Sequence, residues 1–336
     1  MAEQSLKDKT AKGLFWGGVS NGVQQLLGML FGIYLARTLN AEDYGLVGML
    51  AIFSGIASTI INSGFSVALT NKLDATHKDY NAVFWFSFVV SICLYIVLFF
   101  SAPLIASFYD RQELVNLSRV IFASFLFSGM AIVPHVILFK QLQVKMQAKI
   151  DVFALFLSGM CGVLLAFNGF AYWALAIQST VYVASASLLK WMVVSWRPSL
   201  DFSIEPLKEM FPFSVKLFLT NIFQQVNNNV FSVLLGKLYN ANVLGYYSQG
   251  NKWMTMGGSM LNNMINSVAQ PVFVQVNDDL ERQRNVFRKM VRFAAFVSFP
   301  AMLGLAFVAR SLSVPRLAIN GWKVYLYYKY CAFKGA

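Results

Sequence analysis

The stretch A-V-F-W-F-S-F-V-V-S-I-C-L-Y-I-V-L-F-F-S-A-P-L-I-A-S-F, from Ala82 to Phe108, contains no charged side chain. About 20 apolar residues cross the roughly 30 Å hydrocarbon core of a bilayer as a helix, so this stretch is long enough to span it. Apolar runs of similar length recur outward from it, separated by short polar gaps. They lie at 14–36, 44–69, 114–139, 151–167, 170–194, 211–236, 243–275 and 290–309. Asn168-Gly169 reads as a tight turn between two hairpin helices. The fold class expected is all-α integral membrane, with about nine transmembrane helices.

Composition agrees. The 336 residues are 57% apolar and 12% charged, about half the charged share of an ordinary soluble domain. A core of normal size cannot bury so much apolar surface, so lipid must cover the rest. The 31 Phe, 14 Tyr and 7 Trp suit interfacial belts and lipid-facing surfaces. Trp16, Trp173, Trp191 and Trp196 flank spans as anchors. Three cysteines, Cys93, Cys161 and Cys331, have neither disulfide nor zinc spacing. The polar start from Met1 to Lys12 leads into a long apolar run with no A-x-A-like cleavage site, so the first run reads as a permanent span.

Lysine and arginine set the expected orientation. With a cytoplasmic N-terminus, sixteen of them fall inside, from Lys7, Lys9 and Lys12 through Lys72, Lys140, Lys145 and Lys190 to Arg284 and Arg292. Only Arg37, Arg111, Arg119 and Lys237 fall outside up to the ninth span. The net charge of +12 is then a topology signal and an attraction to anionic membrane lipids. It is divided among several loops rather than gathered into one patch, so no nucleic-acid partner is expected.

An internal repeat organises the chain. Shifted by 200 residues, Asn21, Gln24 and Gln25 fall on Asn221, Gln224 and Gln225. In the same register Leu35, Asn40, Ala41 and Gly45 fall on Leu235, Asn240, Ala241 and Gly245, and Asn62 falls on Asn262. Six helices separate the copies. An even number gives both halves one orientation, related by an axis along the membrane normal. Two parallel six-helix repeats are expected, the first complete over 1–195 and the second incomplete over 210–310. Ser195 to Glu209, with Pro198 and Pro206, reads as the linker, its boundaries 196–209.

Amides inside lipid are costly unless they meet other helices or a wet cavity. Asn21, Gln24 and Gln25 lie on the first helix. Asn221, Gln224, Gln225, Asn227, Asn228 and Asn229 lie on the seventh, and Gln249, Asn251, Lys252, Asn262, Asn263, Asn266 and Gln270 on the eighth. A single amide among these reads as an interhelical hydrogen bond. The cluster on helices seven and eight reads as the lining of a cavity that offers donors and acceptors to a hydroxyl-rich or phosphorylated substrate. Lys252 is the sharpest residue. It lies about nine residues, or some 13 Å, into its helix, with Ile52 at the equivalent place in the first copy. It either faces the cavity or snorkels to the interface. Lys216 reads as snorkelling, Asp151 as a cap at the start of the fifth helix, and His77 and His135 as structural. No P-loop, metal-ligand spacing, G-x-S-x-G or paired intramembrane carboxylates occur, so no catalytic residue, metal or cofactor is expected.

Several segments resemble one known family. They are S-L-K-D-K-T-A-K-G-L-F-W-G-G (Ser5 to Gly18), L-A-R-T-L-N-A-E-D-Y-G (Leu35 to Gly45), N-S-G-F (Asn62 to Phe65), W-R-P-S-L (Trp196 to Leu200) and L-G-Y-Y-S-Q-G-N-K-W (Leu244 to Trp253). They are similar to the polysaccharide transporter family, the Wzx-like flippases of the multidrug/oligosaccharidyl-lipid/polysaccharide exporter superfamily. The resemblance implies flipping of undecaprenyl-pyrophosphate-linked oligosaccharide across the bacterial cytoplasmic membrane. The product serves lipopolysaccharide, capsule or exopolysaccharide assembly, with a polymerase or export machinery as further partners. It also implies a cationic lumen for the pyrophosphate, for which Lys252 is the matching residue; many relatives have Arg where this chain has Gln249. The alternatives are an ion-coupled multidrug or metabolite antiporter of the same superfamily and a non-transporting scaffold. Residues 311–336 have no acid and five Tyr or Trp. A shifted reading frame after Asn320 would restore an apolar helix start, so a frameshifted or truncated gene product is expected.

Overall fold

The computed structural model describes residues 2–256, except 63, 73, 142, 201–202 and 253, together with scattered helical positions between 284 and 303. The secondary structure of the described residues is helical: α1 (Ala2–Thr38), α2 (Ala41–Met49), α3 (Ala51–Asn62), α4 (Phe65–Asn71), α5 (His77–Tyr109), α6 (Leu114–Lys140), α7 (Val144–Phe167), α8 (Tyr172–Val193) and α9 (Glu205–Leu238). Residues 241–252 and 254–256 are also helical and are labelled α10. Four units are long and apolar enough to cross a membrane: Ala41–Asn71, α5, α6 and α7. The chain is a multi-pass membrane protein. α1, α8 and α9 coincide with three more of the expected spans but carry more polar residues. The expected spans at 243–275 and 290–309, and Asn262 with them, fall wholly or largely outside the described residues.

Local chemistry sets the helix ends. Asn40 with Asp43, and Thr76 with Asp79, form capping boxes at the starts of α2 and α5, each satisfying N–H groups that the helix itself cannot. Asn168-Gly169 makes the expected turn between α7 and α8, with Gly169 at φ +80°. Gly64, at φ +74°, separates α3 from α4. A Cβ there would press on the Ser214 backbone of α9, so the position needs glycine for its conformation and for its closeness to α9.

Two boundaries differ from the sequence reading. α7 starts at Val144, so Asp151 lies two turns inside it rather than capping it. Extending a nucleated helix costs little per residue, and Ala148 and Ile150 of that extension are buried against its neighbours. α9 starts at Glu205, inside the segment read as linker, with Pro206 in the first turn where its missing N–H costs nothing.

Packing runs in a chain: α5 against α6, α6 against α8, α8 against α7 and α7 against α1, with α9 lying across α3, α4 and α5. Phe122, Leu114, Leu117, Val133, Leu138, Ile61 and Leu69 are almost fully buried in the core. The end of the bundle that carries Lys72 and Lys140 is tied by polar contacts. Lys72 pairs with Glu209 at 2.6 Å and with Asp79 at 3.0 Å, joining α4, α5 and α9. Glu209 first and then Asp79 hold the Lys72 ammonium above the ordinary lysine range. Lys140 donates to the carbonyls of Leu69 and Lys72. The chain after α8 folds back here: Trp85 Nε1 donates to the Ser199 carbonyl at 2.7 Å, and Trp196 Nε1 to His77 Nδ1 at 3.0 Å. Arg111–Glu42 at 2.8 Å and Lys237–Asp110 at 3.1 Å are ion pairs of the opposite end.

Candidate functional site

The two copies of Asn-Ala-x-x-x-Gly, read from the sequence as a repeat, meet in space. A Cβ on Gly45 would fall on the Ala241 carbonyl, and a Cβ on Gly245 would fall on the Ala41 carbonyl. One turn further on, a Cβ on Gly48 would stand 2.7 Å from Ser248 Oγ, and 48 and 248 are equivalent positions. In an antiparallel crossing, paired positions would have a constant sum, so 41-with-245 would place 48 against 238. Pairing of 48 with 248 means that α2 and α10 run side by side in one direction. Only glycine allows backbones this close, and alanine carbonyls supply the facing surface.

Beyond the crossing the two helices part, and a cavity of about 350 Å³ opens between them. Tyr44, Val47, Gly48 and Ala51 line one side, Asn229 and Ser232 of α9 and Leu175 of α8 another, and Ser248, Gln249, Asn251 and Lys252 of α10 the third. Two of these groups are buried and unsatisfied. Tyr44 is 8% exposed and Gln249 5%. Their side chains approach one another, yet neither Tyr44 Oη nor Gln249 Nε2 completes a hydrogen bond among the described residues. A buried polar atom left unpaired costs about 1–3 kcal/mol, and a small rotation that pairs the two side chains with each other would recover it. Lys252 is exposed along the same wall. The lining therefore offers a cation, a phenol, two hydroxyls and several amides, a set suited to phosphate oxygens and sugar hydroxyls.

Of the residues named from sequence, Gln249, Asn251 and Lys252 line this cavity, and so does Asn229. The others do not. Asn221, Gln224 and Asn228 are exposed on α9. Gln225 is half-buried and wedged against α3, where Gly55 leaves room for its amide. On α1, Asn21 is exposed and Gln24 donates to Ser20 Oγ at 2.9 Å, while Gln25 is half-buried. That helix packs on α7, with Phe31 against Gly159 and Phe156. Sequence reasoning missed Tyr44, Ser232 and Ser248. Position 48 opposite 248 was available as a signal once the repeat register was known, since equivalent positions near a pseudo-two-fold axis must meet. Among the described residues no group of three or more His, Cys, Asp or Glu could hold a metal ion.

Comparison with known proteins supplies the family. A family described as polysaccharide biosynthesis protein matches residues 34–325. The chain belongs to it. The family expected from the quoted motifs is thus the one found. This polysaccharide biosynthesis protein is 27% identical over 307 residues to the teichuronic acid biosynthesis protein TuaB of Bacillus subtilis, covering 91% of this chain and 64% of TuaB. It is 23% identical over 329 residues to the lipopolysaccharide biosynthesis protein WzxC of Escherichia coli, covering 95% of this chain and 65% of WzxC. The chain therefore spans less than two thirds of the length of these relatives. Its fold is shared with the lipid II flippase MurJ in an inward closed conformation, at a TM-score of 0.66 and 15% identity over 94% of this chain and 74% of MurJ. An inward-facing multidrug resistance transporter of the MATE family, from the MOP superfamily, aligns at a TM-score of 0.62 and 18% identity, covering 90% of this chain and 72% of that one. For a polysaccharide biosynthesis protein with this transporter fold, the cavity between α2, α9 and α10 is the natural place to look for function.

Proposed function

We propose that this chain takes part in moving undecaprenyl-pyrophosphate-linked oligosaccharide across the bacterial cytoplasmic membrane, with the cavity between α2, α9 and α10 as the place where the polar head of the substrate is held. The observation that carries this reading is a cavity whose lining gathers the Lys252 cation with the hydroxyls of Ser232 and Ser248 and the amides of Asn229 and Asn251. A pyrophosphate offers charge for the ammonium, and phosphate oxygens or sugar hydroxyls can bond the hydroxyls and amides of the lining. The lining carries a cation and six polar side chains that such a head can use. Family membership in polysaccharide biosynthesis and the fold shared with a lipid II flippase support the same reading.

Two parallel repeats related by an axis along the membrane normal are part of the proposal, and the reciprocal meeting of Gly45 with Ala241 and Gly245 with Ala41 supports them. So is a cytoplasmic N-terminus, supported by the charge bias. Cysteines introduced at positions 42, beside the buried Asp43, and 168 are then modified by an impermeant reagent from outside, and those at 145 and 284 are not; the reverse pattern defeats the topology. The function itself is tested in proteoliposomes carrying the native lipid-linked glycan. Transfer to the far leaflet is expected of an otherwise complete transporter that contains this chain, and a complete transporter that never accelerates it is a scaffold rather than a flippase.

A further inference from the structure

Arg119 stands five residues beyond Leu114, the start of α6, and so about 8 Å inside that helix. Its guanidinium carbon lies 4.2 Å from the centroid of the Phe99 ring of α5, and its Nε is buried with no hydrogen-bond partner among the described residues. A cation at such depth is costly in hydrocarbon and ordinarily pairs with an acid or a carbonyl. No acid is left for it. At this end of the bundle Glu42 is held by Arg111 at 2.8 Å and Asp110 by Lys237 at 3.1 Å. Glu113, just before α6, stands about 120° around the helix from it. At the far end of the bundle Asp79 of α5 pairs with Lys72. α3, α4, α7 and α8 also pack on α6, and their one acid, Asp151, pairs with Lys190 at that far end.

A cavity begins one helical turn away. Val115 precedes Arg119 by four residues and Pro103 follows Phe99 by four, so each shares a helix face with its partner. Both line a space of about 360 Å³ whose rim carries Ser107, Asp110, Arg111 and Gln112. Beside it α5 presents Phe100 and Leu104, 74% and 71% exposed. The space is thus bordered by polar groups toward the end of the bundle and by bare apolar side chains along the helix. It shares no lining residue with the cavity between α2, α9 and α10.

We infer that this groove, between the ends of α5 and α6 that meet at Asp110–Glu113, holds the head of an anionic glycerophospholipid with its phosphate on Arg119. The phosphate diester supplies the negative charge that the protein does not, and the planar guanidinium bonds two of its oxygens at once. Ser107 and Gln112 offer a hydroxyl and an amide to the hydroxyls of a glycerol head. The acyl chains lie along Phe100 and Leu104, which gives a lipid an advantage that a soluble phosphate lacks. A choline head brings its own cation and leaves Arg119 little net charge to meet. The inference is independent of what the transport cavity carries.

The test uses the full chain purified in a non-ionic detergent. Native mass spectrometry with added phosphatidylglycerol should show one lipid retained under activation that strips phosphatidylcholine. Arg119→Gln should weaken that retention about tenfold or more, as loss of a charge-assisted contact implies, and Arg119→Lys should keep part of it. Arg37→Gln, which removes an exposed cation of α1 at the same end, should leave it unchanged. Inorganic phosphate in large excess should not displace the lipid; displacement would make this a soluble-phosphate site and overturn the inference. Equal retention by parent and Arg119→Gln, equal retention of the two lipids, or no retained lipid overturns it as well. A photoreactive phosphatidylglycerol on the unaltered chain decides the matter if the Gln variant does not fold. Cross-links are expected within residues 99–119 and should be removed by excess phosphatidylglycerol but not phosphatidylcholine; cross-links confined elsewhere defeat the proposal.

Discussion

In residues 40–52, Asn-Ala-Glu-Asp-Tyr-Gly leads into Leu-Val-Gly-Met-Leu-Ala-Ile; in residues 240–252, Asn-Ala-Asn-Val-Leu-Gly leads into Tyr-Tyr-Ser-Gln-Gly-Asn-Lys. Both begin with the same cap residue, alanine and glycine, and these put α2 and α10 side by side with their backbones touching. Past the glycines the two diverge. Met49 and Leu50 are 1% and 0% exposed within the core, whereas Gln249, the equivalent of Met49, borders the cavity. Ala51 is matched by Asn251 and Ile52 by Lys252. A shared opening thus fixes how two helices cross, and the next turn decides whether each becomes wall or binding surface. One scaffold motif serves two chemistries because the crossing depends on the smallness of an alanine and a glycine, whatever side chains the next turn carries.

The crossing is where this comparison is easiest to break. Gly45→Leu and Gly245→Leu each drive a side chain into a facing carbonyl. Each should destabilise the protein by about 3 kcal/mol, the upper end of overpacking costs, read as lost thermal stability in detergent or lost abundance in membranes. If the contact is reciprocal, the two variants fall by similar amounts; a harmless Gly245→Leu would show that only the first copy packs this tightly.

The divergent turn comes next. Lys252→Ala should reduce glycan transfer about tenfold or more, the loss of a charge-assisted contact of roughly 1.5–3 kcal/mol, at unchanged abundance, with Lys252→Arg keeping part of the activity. Adding Ile52→Lys to Lys252→Ala should not restore it, because Ala51 and not Ile52 lines the cavity. Normal transfer by Lys252→Ala would place its ammonium at the interface instead.

The caps should matter least. Asp43 accepts from the Asn40 backbone at 2.9 Å and from the Tyr172 backbone, tying α2 to α8, so Asp43→Ala should cost about 1 kcal/mol in thermal or denaturant unfolding. In the second copy Asn240 Oδ1 accepts from the Val243 backbone in the open, and Asn240→Ala should cost about 0.5 kcal/mol. A larger loss at Asn240 than at Asp43 would reverse the order in which the two copies depend on their caps.

Much of the fold was legible before any coordinates. Each span is a local property of about 20 residues, set by the cost of placing charge or unpaired backbone in hydrocarbon. The stretches expected at 82–108, 114–139 and 170–194 therefore lie within a residue or two to five of α5, α6 and α8. The turn at Asn168-Gly169 was equally readable, because a positive φ there needs glycine. The polar start of α7 was not: within Val144 to Ile150 only Ala148 and Ile150 are buried against other helices, a contact that no local signal records.

The site divides along the same line. The sequence by itself determined that amides and the lysines Lys216 and Lys252 stand on the seventh and eighth helices, and that two motifs 200 residues apart share a register. It could not rank Asn228 against Asn229, since neighbouring helical residues point about 100° apart and only the partner helices define which direction is inward. Tertiary structure made that choice. It turned Asn229 and Gln249 toward the cavity and left Asn221, Gln224 and Asn228 exposed. It also brought Tyr44, some 200 residues away in sequence, to the same wall, because hydropathy is felt by each segment alone while a cavity exists only where several segments fail to fill the space between them.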